Sequence, residues 1–400
     1  MRTHLPVEIW RSFLLYAIDS PDVLSINPIP TDNPCYEAEY WESERTRNAL
    51  RRVCSSWNAF LTQYNNRFVR TSDVIHSRIP AVSLVYALHI KVDKCTCPLC
   101  DLPHTGYMES RWCFQDRVSS ADAISGHSPW RVEIIDDQRG WYFDIIACEP
   151  KRFLNLRALY HSIALPDILF SAKPPLSLLA ANAKDLIKIK QLELSNITTL
   201  SIQGIEPAHL SLVHLPNLTH VWFEMLWRPL IDQNRVHSIL EWLSFYGKRL
   251  ETFYWLDFDS GITDSDVDKV WSLCPNLQRL QLPVDARWTP PPSSHQIRLL
   301  RVEEHDEPPP SVCSLCRSPH YFSIQFSNSL GQLANSGVQR IQASPLVWHE
   351  RMAHDNDHSI YCFMMEARSH GIVVVDMCGW SFEQAILAHL KARKKLYVHK

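Results

Sequence analysis

The chain has little glycine, with ten residues among 400, where an average chain has about 7%. None of these glycines forms a G-x-G-x-x-G, G-x-x-x-x-G-K-[ST] or G-x-S-x-G motif. Those motifs need glycine for tight turns and for close approach of the backbone to a phosphate or a nucleophile. The usual signatures of Rossmann proteins, P-loop NTPases, kinases and α/β-hydrolases are therefore absent. Proline is common, with 26 residues, and aromatic residues make up 10%, which favours a packed interaction protein.

The chain also lacks a strong excess of charge, a long apolar run and a dense set of cysteines. Its 40 basic and 43 acidic residues leave a net charge of −3, so no broad field attracts nucleic acid or anionic lipid. The longest strongly apolar run, residues 82–90, is well short of the ~20 residues that cross a bilayer. Glu8 and Arg11 interrupt the apolar N-terminal stretch, unlike a signal peptide. Twelve cysteines are too sparse for a secreted disulfide scaffold. We expect a cytoplasmic or nuclear protein with no nucleic-acid or membrane partner.

Two amphipathic helices are predicted in the first 72 residues. Pro6 stands at the first turn of the first helix, where its missing N–H has no cost, and apolar residues follow at helical intervals, namely Ile9, Phe13, Leu14, Tyr16, Ala17 and Ile18. A loop rich in proline and polar residues follows, at about residues 20–40. The second helix is predicted from about Glu37 to Leu61, with Arg47, Arg51 and Arg52 on its polar face.

Two half-motifs in these helices resemble the F-box, and more narrowly the F-box-like variant of fungal proteins. The first is the Leu-Pro-x-Glu-Ile sequence that opens the first helix, and the second is the segment 50–57, which reads LRRVCSSW. The intervening segment is longer than in an ordinary F-box. The resemblance implies docking on a Skp-type adaptor protein that links the chain to a cullin ubiquitin ligase. The contact residues it implies are Leu5, Pro6, Ile9, Leu50, Val53, Cys54 and Trp57. The alternative is that these residues only form the core of a helical hairpin.

An apolar-x-x-apolar-x-apolar frame recurs between residues 151 and 305. It starts at Leu156, Ile189, Leu218, Leu250, Leu277 and Ile297. Leucine-rich repeats place an L-x-x-L-x-L strand core every ~20–29 residues, and strand–helix units bury their apolar faces by stacking. The pattern therefore predicts an irregular leucine-rich-repeat-like solenoid behind the F-box-like helical module. The alternative is an ordinary α/β domain whose parallel strands occur at these intervals.

These patterns divide the chain into four predicted parts. Residues 1–72 form the helical module, 73–150 a connecting and capping segment, 151–305 the repeat-like array and 306–400 a C-terminal capping region. A helix is expected over 236–246, and another begins at an N-cap at Thr263 or Asp264. The acidic run 257–268 also resembles a calcium loop, but its glycine is fifth rather than sixth.

The best candidate for a metal site is a cluster of thiols with one imidazole. It consists of Cys95, Cys97, Cys100, His104 and Cys113. Zinc prefers four nitrogen or sulfur ligands, and a C-x-x-C turn supplies two of them. A second pair at finger-like spacing is absent, however, and reduced cysteines in a loop need no metal. We therefore expect no metal and no cofactor.

No catalytic nucleophile, base and orienting partner can be assembled from the sequence. The sequence therefore favours a non-catalytic adaptor that presents an unknown protein substrate to the ligase. The alternative is an enzyme or a metal-dependent small-molecule-binding protein with its site in the region 150–400.

Overall fold

The computed structural model describes fifteen stretches of the chain. They are residues 6–19, 35–92, 130–137, 150–161, 175–182, 195–203, 214–224, 233–256, 261–283, 286, 288–303, 330–344, 358–377, 379–387 and 390. The chain divides into two compact units, residues 1–192 and 193–400.

The first unit begins with helices and continues with short parallel strands. Its helices are α1 (Val7–Ala17), α2 (Cys35–Leu50), α3 (Ser55–Thr62), α4 (Thr71–Ile75) and α5 (Ser83–Tyr86). Its strands are β1 (Phe68–Arg70), β2 (His89–Lys91), β3 (Ile134–Asp137), β4 (Ala158–His161) and β5 (Leu178–Asn182), with a 3-10 turn at Pro150–Phe153. Each strand pairs in parallel with the next one along the chain.

The second unit alternates longer helices with parallel strands. Its strands are β6 (Thr199–Gln203), β7 (His220–Glu224), β8 (Thr252–Leu256), β9 (Arg279–Gln281), β10 (Leu299–Glu303), β11 (Arg340–Ser344) and β12 (Val373–Val375). Its helices are α6 (Gln233–Tyr246), α7 (Asp264–Leu273), α8 (Leu330–Asn335) and α9 (His358–Ser369), with a 3-10 turn at Gly247–Arg249. Here too the spatial order of the strands follows their order in the chain.

The apolar frames form the core side of the strands. Phe253 and Trp255 of β8, and Leu250 just before it, are each 0% exposed, and Phe223 of β7 packs edge-on to Phe253 at 5.7 Å between ring centroids. Because side chains alternate along a strand, the second and third apolar positions of a frame lie on one face. That face is covered by helices such as α6, where Leu243 is buried.

Two asparagine side chains form hydrogen bonds between the segment that precedes a strand and the segment that precedes the neighbouring strand. Each follows a proline in a Pro-Asn-Leu sequence just before a strand. The side-chain amide of Asn217 donates to the backbone carbonyl of Ser195 at 2.6 Å, and that of Asn276 donates to Lys248 at 2.7 Å. These residues therefore stabilise the turns that align the strands.

The predicted fold class, a helical F-box-like module followed by a leucine-rich-repeat-like solenoid, is wrong. The structure shows an α/β protein whose described part holds twelve parallel strands, the arrangement that the sequence left open as the alternative. Parallel strands are not confined to residues 151–305, because β1–β3 precede that range and β11 and β12 follow it. Strands of three residues such as β1 and β12 are too short to display the apolar frame. The domain limits at 72, 150 and 305 stay predictions.

The first helices are also joined directly to the sheet rather than forming a free-standing module. The backbone N–H of Phe68, in β1, donates to the hydroxyl of Tyr40, in α2, at 3.3 Å. Tyr40 is 1% exposed, and its ring lies 5.2 Å from that of Phe68. The α2 helix therefore covers the first strand and satisfies one of its backbone donors.

The second predicted helix, from about Glu37 to Leu61, is in fact two helices. A turn over Arg51–Val53 ends α2, and Cys54 takes the extended N-cap conformation, with φ −160° and ψ 166°, before α3. The carbonyl of Cys54 accepts the N–H of Asn58 at 3.0 Å. The apolar spacing 50, 53, 57, 60 and 61 fits one helix or two, so sequence periodicity does not reveal the break.

Candidate partner-binding surface

One face of α1 is part of the protein core. Leu14 is 3% exposed, and Ile18, just after the helix, is 0% exposed. Both pack with Leu61 of α3, and Trp10 packs against the same cluster. We call Leu14, Ile18 and Leu61 the inner cluster. It exists because positions 14 and 18 are four residues apart and therefore share a helical face.

A second apolar face of α1 is uncovered. Ile9, Phe13 and Tyr16 are 42%, 65% and 85% exposed. Their spacing of i, i+4 and i+7 places them along one line of the helix, which we call the outer stripe. The inner cluster uses only one apolar face of α1. The outer stripe is a second apolar face, and it is open to solvent. Large exposed apolar patches mark interaction sites.

Aromatic contacts hold α1 against α3. The indole ring of Trp10 is stacked on that of Trp57, with 6.3 Å between centroids, and meets the ring of Phe60 edge-on at 5.6 Å. The guanidinium of Arg11 lies 5.6 Å from the Trp10 ring and 5.3 Å from the Phe60 ring. Such aromatic pairs and cation–π contacts add stability beyond the burial of area. The orientation of the outer stripe is therefore set by the chain itself.

A buried ion network anchors the same helices. Glu44 of α2 accepts from Arg47 at 2.5 and 2.9 Å and from Arg67, before β1, at 3.3 Å. All three side chains are at most 10% exposed. Sequence periodicity placed Arg47 on the polar face of the predicted helix, and in the structure this side chain is buried. The guanidinium of Arg47 can be buried because the Glu44 carboxylate and nearby carbonyls are its partners, and buried charges need partners.

The network reaches every element around it. Arg67 donates to the carbonyl of Ile18 at 2.9 Å, and the Ser43 hydroxyl donates to the same carbonyl at 2.5 Å. Arg47 donates to the carbonyl of Leu61 at 3.4 Å and to the side-chain oxygen of Asn65. The ends of α1 and α3 are thereby fixed to α2 and to the start of β1.

The predicted docking residues divide into three groups in the structure. Pro6, Ile9, Val53 and Cys54 are exposed, Leu50 and Trp57 are half-buried, and Leu5 lies outside the described residues. Leu50 and Trp57 come together at the inner cluster, whereas Val53, 61% exposed, stands in the turn between α2 and α3. The two half-buried residues thus contribute to the core as well as to the surface.

Two members of the outer stripe, Phe13 and Tyr16, were not predicted from the sequence to be surface residues. The apolar periodicity grouped them with Leu14 and Ile18 on one helix face. At 100° per residue, Phe13 and Leu14 belong to different faces. The available signal was the helical-wheel arithmetic: positions 9, 13 and 16 form one line, and 10, 14 and 18 form another.

An exposed thiol lies beside these helices. Cys54 is at the N-cap of α3, and its Sγ lies 3.2 Å from the hydroxyl of Ser56. That hydrogen bond, together with the backbone N–H groups of Trp57 and Ser56, lowers the pKa of the Cys54 thiol below its ordinary value. A lower pKa raises the fraction of reactive thiolate at neutral pH. Cys54 is therefore a chemical reporter for this surface.

The metal candidates Cys95, Cys97, Cys100, His104 and Cys113 all lie outside the described residues. Within the described ranges, no group of three or more His, Cys, Asp or Glu side chains is placed to hold a metal ion. The prediction that the chain has no metal, and the alternative of an enzyme or metal-dependent protein in the region 150–400, both stay predictions.

Comparison with known protein families found no match, and comparison with curated proteins found no relative. Among the described helices, none has the length and apolar character needed to traverse a membrane.

Proposed function

We propose that this chain is a non-catalytic substrate-recognition adaptor of a Skp/cullin/F-box-type ubiquitin ligase. It docks on a Skp-type adaptor protein through the outer stripe of α1 and the turn before α3. The α/β part of the chain presents an unknown protein substrate. Ubiquitin transfer is carried out by the recruited ligase, and this chain supplies proximity. The compartment that accompanies this function is the cytoplasm or the nucleus.

The observation that carries the proposal is the uncovered apolar surface on the N-terminal helices. Ile9, Phe13 and Tyr16 of the outer stripe are exposed, and so is Val53. Two of these four, Ile9 and Val53, are residues at which the F-box resemblance implies contact. The other side of the same helix is closed by the inner cluster, so the exposure is not a sign of a loosely packed helix.

The geometry also favours binding without rearrangement. The aromatic contacts of Trp10 and the buried network around Glu44 fix α1 relative to α2 and α3. A preformed surface avoids the entropy cost of ordering on binding. Fully burying one large apolar side chain contributes about 1.5–3 kcal/mol, so each stripe residue can change affinity by roughly one to two orders of magnitude.

The test compares two substitutions of equal chemistry on two equally exposed residues. Phe13, in the outer stripe, and Phe245, at the end of α6, are both 65% exposed. We expect Phe13→Glu to weaken binding to a purified Skp-type adaptor by about tenfold or more, measured by calorimetry. Phe245→Glu should bind like the wild type. Circular dichroism verifies that both variants are folded. Equal affinity of all three chains, or no binding by the wild type, contradicts the proposal.

A second measurement maps the surface without mutation. Among the cysteines whose side chains the structure describes, the lowered pKa and exposure of Cys54 should make iodoacetamide modify it ahead of Cys274, whose pKa burial raises to about 12. Mass spectrometry should show slower modification of Cys54 when the Skp-type adaptor is bound. An unchanged rate at saturating adaptor would place the docking surface elsewhere.

A further inference from the structure

The second unit has a sheet face opposite the apolar frames, and this face has a chemistry of its own. The frame residues Leu280 and Leu300, and Ile341 in register with them, are 0% exposed on the core side. Residues at alternate positions point to the other side. Strand register aligns them in two rows. The first row is His220, Thr252, Arg279, Leu299, Arg340 and Val373, and the second is Trp222, Tyr254, Gln281, Arg301, Gln342 and Val375.

Three arginines give this surface its charge, and none of the twelve row positions is acidic. Arg279, Arg301 and Arg340 lie on three neighbouring strands, and we call their surroundings the arginine face. Arg279 and Arg340 are exposed at its rim, whereas Arg301 is 7% exposed. Glu251, just before β8, acts electrostatically on His220 at the far end of the first row. The formal charge summed over these twelve positions is therefore positive, in a chain whose net charge is −3.

One of the three arginines lies over an aromatic ring. The guanidinium of Arg301 lies 5.6 Å from the centroid of Tyr254. Burial raises the pKa of Tyr254, and the positive charges of Arg301 and Arg279 oppose that rise. The ring of Trp222 meets Tyr254 edge-on at 5.5 Å. The face therefore combines cations at the rim with aromatic and cationic groups beneath.

Gln281 supplies an independent observation. It stands in register between Tyr254 and Arg301 and is 1% exposed. Within the described part of the chain, neither the nitrogen nor the oxygen of its side-chain amide has a hydrogen-bond partner. The large majority of buried side-chain polar atoms in proteins have one. An amide donor beside a guanidinium is suited to a carboxylate or phosphate oxygen.

We infer that the arginine face binds an anionic segment of a peptide through the guanidiniums of Arg279 and Arg340 at the rim, with the buried Gln281 amide, two residues along β9 from Arg279, as a further donor beneath them. Neighbouring strands are about 4.8 Å apart, so the rim arginines, two strands apart in register, are separated by roughly 10 Å. In a polyproline II peptide, residues i and i+3 share a side and are about 9.3 Å apart. Acidic residues at every third position match this distance. Nucleic acid is the less favoured occupant, because its binders contact about six to ten phosphates.

The probe is a fluorescein-labelled peptide with glutamate at every third position and proline between. Its phosphoserine version separates the two sources of the anionic group, and a lysine version and a single-stranded oligonucleotide of equal length are the controls. Fluorescence anisotropy with the full chain should show saturable binding of one or both acidic peptides, weakened by salt. The measurement concerns the second unit and does not depend on docking to a Skp-type adaptor.

Exposed arginines allow matched variants that keep the fold. Arg279→Gln and Arg340→Gln should each weaken binding about tenfold, the usual effect of one charge-assisted contact. Arg298→Gln removes the same charge just before β10, from a residue that belongs to neither row, and should bind like the wild type. Equal loss in all three variants, no binding of either acidic peptide at 100 µM (about a hundredfold above micromolar affinity), or tighter binding of the oligonucleotide overturns the inference.

Discussion

The buried network predicts a sharp difference between two glutamates of one helix. Glu44 accepts hydrogen bonds from Arg47 and Arg67, and all three side chains are at most 10% exposed. Glu44→Gln keeps the shape and removes the charge, which leaves two buried guanidiniums without their counter-ion. Breaking a buried ion pair in this way costs about 3–5 kcal/mol. Glu42 pairs with Arg45 on the surface, where the side chains are 60% and 68% exposed, and such pairs contribute about 0–1 kcal/mol.

Hydrogen exchange measured by mass spectrometry suits this prediction because it reports on each segment separately. A loss of 3–5 kcal/mol corresponds to exchange faster by roughly two to three and a half orders of magnitude. We expect this acceleration in α1, α2 and α3 of Glu44→Gln, with the second unit unchanged. Glu42→Gln should exchange like the wild type. Equal protection in the two variants would refute the conclusion that the network fixes the N-terminal helices.

Two predictions concern the second unit. A Cβ at Gly247 would lie 2.6 Å from the carbonyl oxygen of Leu273. We therefore expect Gly247→Ala to lower the free energy of unfolding by about 1–3 kcal/mol, measured by urea titration. An unchanged urea midpoint would contradict this close packing. Burial lowers the pKa of His295, although its hydrogen bond to the Cys274 carbonyl raises it. The folded state therefore favours the neutral imidazole of His295. The contribution of this group to the free energy of unfolding should be fully present above about pH 6.5. It should be lost as the pH falls through the lower pKa that His295 has in the folded state. His295→Gln should flatten this pH dependence, measured as urea midpoints between pH 7 and 5, and an equally steep curve would contradict it.

Local patterns in the sequence predicted several elements correctly because their causes are local. The expected N-cap at Thr263 is present: its side chain and that of Asp266 form a reciprocal capping box, and α7 begins at Asp264. Desolvation of Asp266 opposes the hydrogen bonds that lower its pKa. This acid serves the helix terminus, as the cap interpretation predicted. The frame at Leu250 likewise matches β8, because its alternation is contained within the strand.

The rest of the fold could not be predicted because its causes are distant in the chain. Arg47 is buried because Glu44 and Arg67 surround it, and Arg67 is twenty residues further on. The F-box-like and repeat-like patterns described segments one at a time, so they did not reveal that short strands outside 151–305 also pair in parallel with their neighbours within each unit. The candidate metal cluster and Leu5 lie outside the described residues, and both remain predictions.

The same reasoning explains why the two proposed surfaces are the least visible parts of the sequence. Apolar periodicity selects the core side of an element, so Leu14 and Leu280 are easy to assign. The residues that remain, such as Phe13 and Arg301, are not assigned to a surface by that core periodicity. Phe13 is recognised as a surface residue only when the structure shows that the inner cluster does not include it. Arg301 is recognised as part of the arginine face only through the strand register, which pairs it with Gln281 of β9 and with Gln342 of β11. Both proposed surfaces are therefore defined by positions that the apolar core pattern does not select.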